Sequence, residues 1–116
     1  MQYIKGIDAF REEKRTAVTL GKFDGLHRGH QKLIEKIRSY AGNDCVSVVC
    51  AFDMQRSCLM TKEERKKLLA GKVDYLIDYP FTGDLMTMEA ERFIQKILYE
   101  KLHAAHIVVG SDFSFG

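Results

Sequence analysis

The chain has 116 residues, 46% of them hydrophobic and 29% charged, which is enough for one soluble domain built around a single core. Its 18 basic and 16 acidic residues leave a formal net charge of +2, too small to attract nucleic acid or an anionic membrane through its overall field. No apolar run reaches the length of a signal peptide or membrane helix, so we expect a cytoplasmic protein with no nucleic-acid and no membrane partner.

Four short apolar runs predict β-strands. They are rich in β-branched residues and close to continuous, which is typical of parallel strands covered on both faces. The runs lie at 16–20, 46–52, 73–77 and 107–109.

Two helices are indicated between the first three strands. The first, about 29–40, is followed by Gly42, where a C-terminal cap is expected. The second starts with the T-x-x-E capping box of Thr61 and Glu64 and runs to Gly71. The apolar stripe of the first helix consists of Leu33, Ile34, Ile37 and Tyr40.

A third helix precedes the last strand, with its start placed at 87–90. The alternation of strands and helices predicts a three-layer, Rossmann-like parallel α/β sheet with four strands and three helices, in a single domain covering 1–116. The chain stops soon after a strand, so we expect a truncated protein. The predicted core face of the third helix consists of Phe93, Ile94, Ile97, Leu98 and Leu102.

Cysteines and the later histidines are predicted to be structural. Cys45, Cys50 and Cys58 are odd in number and lack C-x-x-C spacing, so they indicate neither a disulfide framework nor a thiolate zinc site. His103 and His106 have the spacing of a metal-binding pair, but no carboxylate or cysteine accompanies them, and we therefore assign them no metal.

The densest group of potentially reactive residues is 21–30, with the sequence GKFDGLHRGH, between the first strand and the first helix. Ligands of open parallel sheets bind at the carboxyl ends of strands. Glycines let backbone approach a ligand closely, and the free N–H groups of a helix start attract phosphate. His27 and His30 can both donate hydrogen bonds to phosphate oxygens. The segment therefore predicts a nucleotide-phosphate site.

Other polar residues of this segment have less specific interpretations. Asp24 is equally explained as a turn-forming residue and as a contact to metal or phosphate. Lys22 and Arg28 are predicted to be solvated rather than catalytic. No metal-binding side chain is assigned.

The segment lacks the G-x-x-x-x-G-K-[ST] pattern of a P-loop and the G-x-G-x-x-G dinucleotide fingerprint. Its spacing, G-x-F-D-G-x-H-x-G-H, closely resembles the signature of FAD synthases, the FMN-adenylylating members of the H-x-G-H nucleotidylyltransferase superfamily. The tail 108–116, VVGSDFSFG, is similar to the V-V-G-x-D-F-x-F-G segment of that family. The middle of the chain, 73–94, resembles the family at V-D-Y, P-F and the helix carrying Glu91.

The resemblance implies transfer of AMP from ATP to FMN in the presence of Mg²⁺, giving FAD and pyrophosphate. It implies His27 and His30 as the catalytic residues that act on the triphosphate. It also implies two sets of binding residues. The phosphate-binding set is Gly21, Phe23, Asp24, Gly25 and Gly29, and the set on the flavin or nucleotide-base side is Asp112, Phe113 and Phe115.

The chain departs from the family pattern in two places. After the second predicted strand the usual F-x-P-H-P is replaced by F-D-M-Q-R at 52–56, and the later I-S-S-T motif and the riboflavin kinase domain are absent. Two alternatives therefore stay open. The first is an H-x-G-H enzyme that transfers CMP or AMP to another phosphorylated acceptor, and the second is a truncated nucleotide-binding remnant without catalysis.

Overall fold

A computed structural model describes residues 1–21, 28–42, 44–53, 62–80 and 89–110 of the chain. These residues form a single parallel β-sheet flanked by helices. The strands are β1 (Gln2–Lys5), β2 (Arg15–Gly21), β3 (Cys45–Asp53), β4 (Tyr75–Pro80) and β5 (Ala104–Val108). The helices are α1 (Arg28–Tyr40), α2 (Lys62–Leu69) and α3, whose first turn (Ala90–Phe93) continues as a π-helix (Ile94–Lys101).

The strand order is β1-β4-β3-β2-β5, and every neighbouring pair is parallel. The predicted three-layer parallel α/β architecture is thus confirmed, but the predicted number of four strands is wrong. The chain moves from β2 through β3 to β4 in one direction and then returns to place β5 on the other side of β2. All five carboxyl ends consequently lie along one edge of the sheet.

Side chains alternate across the sheet and fill two separate cores. On one face, Ala17 and Val49 pack with residues of α1 and α2, including Ile37 and Leu69. On the other face, a second core joins the sheet to α3 and to the segment that follows β1. The members of this second core that are completely shielded from solvent are Val18, Val48, Cys50, Ile77, Leu98 and Leu102.

Strand β1 was missed because only Tyr3 and Ile4 in it are apolar, so no apolar run marks it. The position of β1 explains why a polar residue, Asp78, lies within β4. The Tyr3 hydroxyl donates a 2.6 Å hydrogen bond to Asp78 Oδ2, and Asp78 is 1% exposed. Partners 75 positions apart in sequence cannot be paired by local pattern. For the same reason the strand predicted at 73–77 stops before Asp78, whereas the observed β4 continues to Pro80.

Helix α3 begins at Ala90, inside the predicted range, but most of it is not α-helical. The Leu102 N–H donates to the Ile97 carbonyl, five residues back, at 3.0 Å, as in a π-helix. This wider turn places Phe93 and Leu98 in the core and leaves Ile94 39% exposed. The predicted core position of Ile94 is therefore wrong.

Two glycines predicted near helix ends behave differently. Gly71 follows α2 with φ +77°, a left-handed conformation that glycine adopts without steric cost. Gly42 does not adopt this conformation, and its N–H instead donates to the Cys45 carbonyl at 2.8 Å. The predicted C-terminal cap at Gly42 is therefore wrong.

Strand β5 starts earlier than its apolar run. It covers Ala104–Val108 rather than 107–109, because Ala104 and His106 also pair with β2, with a register shift between them. The helices of the described ranges include none that is long and apolar enough to cross a membrane.

Candidate functional site

The reversal of strand order puts the carboxyl ends of β2 and β5 side by side. Thr19 is in register with Val108, the last residue of β5, and β2 ends two residues after Thr19, at Gly21. A crevice at such a switch point, outside the carboxyl ends of the strands, is where open α/β sheets bind ligands. The sheet therefore brings the beginning of the 21–30 motif close to the beginning of the tail motif.

Helix α1 points its amino end at this crevice. Gly21 is the last residue of β2, and Gly29 and His30 lie in the first turn of the helix. Helix α1 packs against β2, β3 and β5, and Ile34 and Ile37 on its inner side are buried. The start of a helix carries partial positive charge, and this packing fixes α1 against the strands that frame the switch point.

The remaining predicted site residues lie outside the described ranges. This holds for the catalytic candidate His27 and for the two binding sets apart from Gly21 and Gly29. The residues concerned are Phe23, Asp24, Gly25, Asp112, Phe113 and Phe115. Their assignment to the site stays a prediction from the sequence.

One buried polar residue next to the site was not singled out by the sequence. Thr19 is 0% exposed, and within the described part of the chain its hydroxyl has no hydrogen-bond partner. The only signal in the sequence is that β2 contains a second threonine beside Thr16 in a mostly apolar strand. Thr16, equally buried, does have a partner, because its hydroxyl donates to the Leu102 carbonyl at 2.8 Å.

Aromatic side chains occupy the α3 face near the carboxyl ends of β3 and β4. The rings of Phe52, Tyr79 and Phe93 have centroids 6.0 to 6.3 Å apart. Burial raises the pKa of the Tyr79 phenol. Phe52, the residue kept from the F-x-P-H-P pattern, is therefore part of a packed core, with 8% of its surface exposed.

Cys45, Cys50, His103 and His106 lie within the described ranges, whereas Cys58 lies outside them. Cys45 and Cys50 are buried in β3 as free thiols, and burial raises the pKa of Cys50 to about 12. His106 stacks on Tyr40 with ring centroids 3.9 Å apart, whereas His103 ends α3 with φ 54°. Across the described ranges no three His, Cys, Asp or Glu side chains are grouped to hold a metal ion.

Comparison with protein families matches residues 9–116 to the family described as FAD synthetase. The chain is 35% identical to the bifunctional riboflavin kinase/FMN adenylyltransferase of Pseudomonas fluorescens, over 100% of this chain and 41% of that protein. It is 30% identical to the FAD synthetase of Listeria monocytogenes, over 91% of this chain and 48% of that protein.

A solved structure titled as a macrolide-efflux protein from Streptococcus pneumoniae superposes with a TM-score of 0.82 at 26% identity, over 99% of this chain and 43% of that one. The chain thus spans less than half the length of the relatives that it matches. The family match extends well beyond the 21–30 motif, over residues 9–116, and the chain belongs to the FAD synthetase family.

Proposed function

We propose that this chain binds ATP and FMN at the carboxyl edge of the sheet and transfers the adenylyl group of ATP to the phosphate of FMN. The observation that carries the proposal is the parallel pairing of Thr19 with Val108, which places the carboxyl ends of β2 and β5 side by side at the switch point. Membership of the FAD synthetase family supports it, as do relatives named as FMN adenylyltransferases.

The reaction needs no nucleophile from the protein. An oxygen of the FMN phosphate forms a bond to the α-phosphorus of ATP, while the bond from that phosphorus to the bridging oxygen breaks. Pyrophosphate leaves with the bonding electrons, and FAD is the other product. Such transfers depend on positioning and on stabilising charge around the transferring phosphorus.

The first turn of α1 supplies the electrostatic part of this mechanism. This turn contains Gly29 and His30, and the N–H groups at the start of a helix are favourable donors to phosphate oxygens. In the proposed mechanism His27 and His30 donate hydrogen bonds to the triphosphate. Asp112, Phe113 and Phe115 contact the flavin or the adenine base.

Magnesium is proposed to enter with the phosphates of ATP. A magnesium ion commonly keeps several water ligands and takes only one or two protein carboxylates in addition to substrate oxygens. When bound, the ion neutralises charge on the phosphate oxygens.

A histidine substitution tests the proposal. His30→Ala is expected to reduce FAD formation from ATP and FMN by about a hundredfold to a thousandfold, the usual contribution of one preorganised donor. His103→Ala is the matched control, because His103 lies at the amino end of β5, away from the carboxyl edge. Its backbone carbonyl accepts the N–H of Thr16 there. Equal loss in both variants would contradict the assignment.

A substrate comparison separates the alternatives. Calorimetry with magnesium and ATP or CTP, followed by an FAD assay on the same sample, distinguishes binding from turnover. We expect ATP to bind and FMN to be adenylylated. Turnover with CTP would indicate another nucleotidylyltransferase, and binding of ATP without turnover would indicate a nucleotide-binding module.

A further inference from the structure

The amino-terminal half of β5 contains a β-bulge that changes the direction of its side chains. Two consecutive residues of β2 pair with Ala104 and His106, so Ala105 is passed over. In a regular strand, residues four positions apart point to the same face of the sheet. Here Ala104 packs against the core on the α3 side, whereas Val108 packs against the core on the α1 side. The extra residue therefore turns the rest of β5 toward α1.

The bulge brings His106 onto the last residue of α1. The imidazole ring stacks on the phenol ring of Tyr40, with centroids 3.9 Å apart and planes 5° from parallel. Lys36 Nζ lies 5.4 Å from the centroid of the same phenol ring, within the range of a cation–π interaction. With regular alternation His106 would point to the opposite face of the sheet, where this stack could not form. The stack is therefore a consequence of the bulge.

Helix α1 is held on the sheet at two separate heights. Its middle is held by the buried side chains of Ile34 and Ile37, in the core against which Val108 also packs. Its carboxyl end is held on β5 by the stack on Tyr40, the last residue of the helix. Contacts in the middle alone leave a helix free to tilt, whereas a second contact near one end fixes its direction. The stack therefore determines where the other end of α1 points.

The geometry of α1 makes this direction important for the proposed site. Gly29 in the first turn and Tyr40 at the end are 11 positions apart, which is about 16 Å along an α-helix. A tilt of about 4° at the stack therefore moves the first turn by about 1 Å. A misplacement of about 1 Å, even when its cause is far from the reacting atoms, can slow an enzymatic step by about a hundredfold.

The stack itself contributes little to burial. Tyr40 is 36% exposed, and His106 is exposed as well. Exposed aromatic pairs stabilise a fold only modestly. An orienting role explains the bulge and the stack better than a contribution to the core does.

We propose that Tyr40 and His106 are positioning residues for adenylyl transfer, which hold the first turn of α1 in place relative to the end of β5. The inference rests on the proposed function, since it concerns the same site. The first turn of α1 contains Gly29 and His30, and the tail that follows β5 is predicted to supply the flavin or base side. Because the stack joins the two elements that lead into these segments, it controls the distance between them.

Substitutions of the two rings in the whole chain test the inference. Tyr40→Ala and His106→Ala each remove the stack, and the double variant removes both rings. Tyr40→Phe keeps the ring and loses only the hydroxyl. Tyr99→Ala is the matched control, because it removes a ring that is 66% exposed from α3, on the other face of the sheet. For each variant, kcat and KM of FAD formation from magnesium–ATP and FMN are measured well below its melting temperature.

We expect Tyr40→Ala and His106→Ala each to lower kcat by about tenfold and kcat/KM by the same factor, as for an interaction that acts in the transition state. The double variant should lose no more than either single variant, because the two rings act as one unit. Tyr40→Phe and Tyr99→Ala should keep the wild-type kcat. A role limited to stability would leave kcat unchanged in every variant that is fully folded during the assay.

Four outcomes overturn the inference while leaving the proposed function intact. They are wild-type kcat in either alanine variant of the stack, losses that multiply in the double variant, a loss in Tyr40→Phe equal to that in Tyr40→Ala, and an equal loss in Tyr99→Ala. Failure of the wild type itself to form FAD would overturn the proposed function and this inference with it.

Discussion

At the scale of single residues, burial determines how Cys50 responds to pH. The thiol lies between sheet and α3, and desolvation, together with the nearby Asp78 carboxylate, raises its pKa from 9.0 to about 12. Between these two values the unfolded chain loses the proton and the folded chain keeps it. The unfolded state then binds fewer protons, so the free energy of unfolding falls as pH rises through this window.

The substitution Cys50→Ala should remove the contribution of this thiol to the loss of stability at alkaline pH. We expect the melting temperature of the wild type to fall from pH 9.0 toward about 12, and that of Cys50→Ala to fall less steeply. A constant offset from the lost packing is expected at every pH, so the slope is the quantity to compare. Parallel curves for the two proteins would show that Cys50 does not titrate as inferred.

At the scale of elements, the π-helical continuation of α3 decides which apolar residues reach the core. Leu98 is 0% exposed and Ile94 is 39% exposed, although an α-helical spacing would bring both to the same face. Leu98→Ala should therefore cost about 2–5 kcal/mol of unfolding free energy. Ile94→Ala should cost no more than about 0.5 kcal/mol, as is usual for exposed positions.

Chemical denaturation of the two variants measures this difference. Equal losses would indicate that α3 has α-helical rather than π-helical packing. The wild-type protein and the two variants should share the same denaturant dependence, because the surface exposed on unfolding is nearly unchanged.

The elements also show what the sequence was able to predict. Strands β2 and β3 were found because their apolar runs are covered on both faces, and α1 because its stripe of Ile34 and Ile37 is regular. Strand β1 was not found, since only two of its four residues are apolar and its partner strand β4 is distant in sequence. The π-helix was not predicted, since the apolar spacing of residues 93–102 fits an α-helix equally well.

The candidate site was likewise predictable from the sequence only in part. The 21–30 motif was recognised from residue types and spacing, which the chemistry of phosphate binding restricts strongly. Thr19 was not recognised, because a threonine in a strand is ordinary until its burial and its hydrogen bonds are known.

At the scale of the whole molecule, the two lateral halves of the sheet are expected to respond differently to a ligand. The carboxyl edge collects the ends of all five strands, and its switch point lies between β2 and β5. Strand β1 is the edge strand at the opposite lateral edge from β5, and among the described residues it pairs with β4. A ligand at the switch point should therefore stabilise one side of the molecule and leave β1 unaffected.

Hydrogen exchange with and without magnesium–ATP tests this arrangement. We expect slower exchange at Gly21, in the first turn of α1 and at Val109 and Gly110, because a ligand that binds the folded chain suppresses local opening around its site. Exchange in Gln2–Lys5 should be unchanged and provides the internal control. Protection centred on β1 and β4 would place the nucleotide away from the switch point and would contradict the proposed site, whereas protection confined to the β2–β5 side is what the strand order requires.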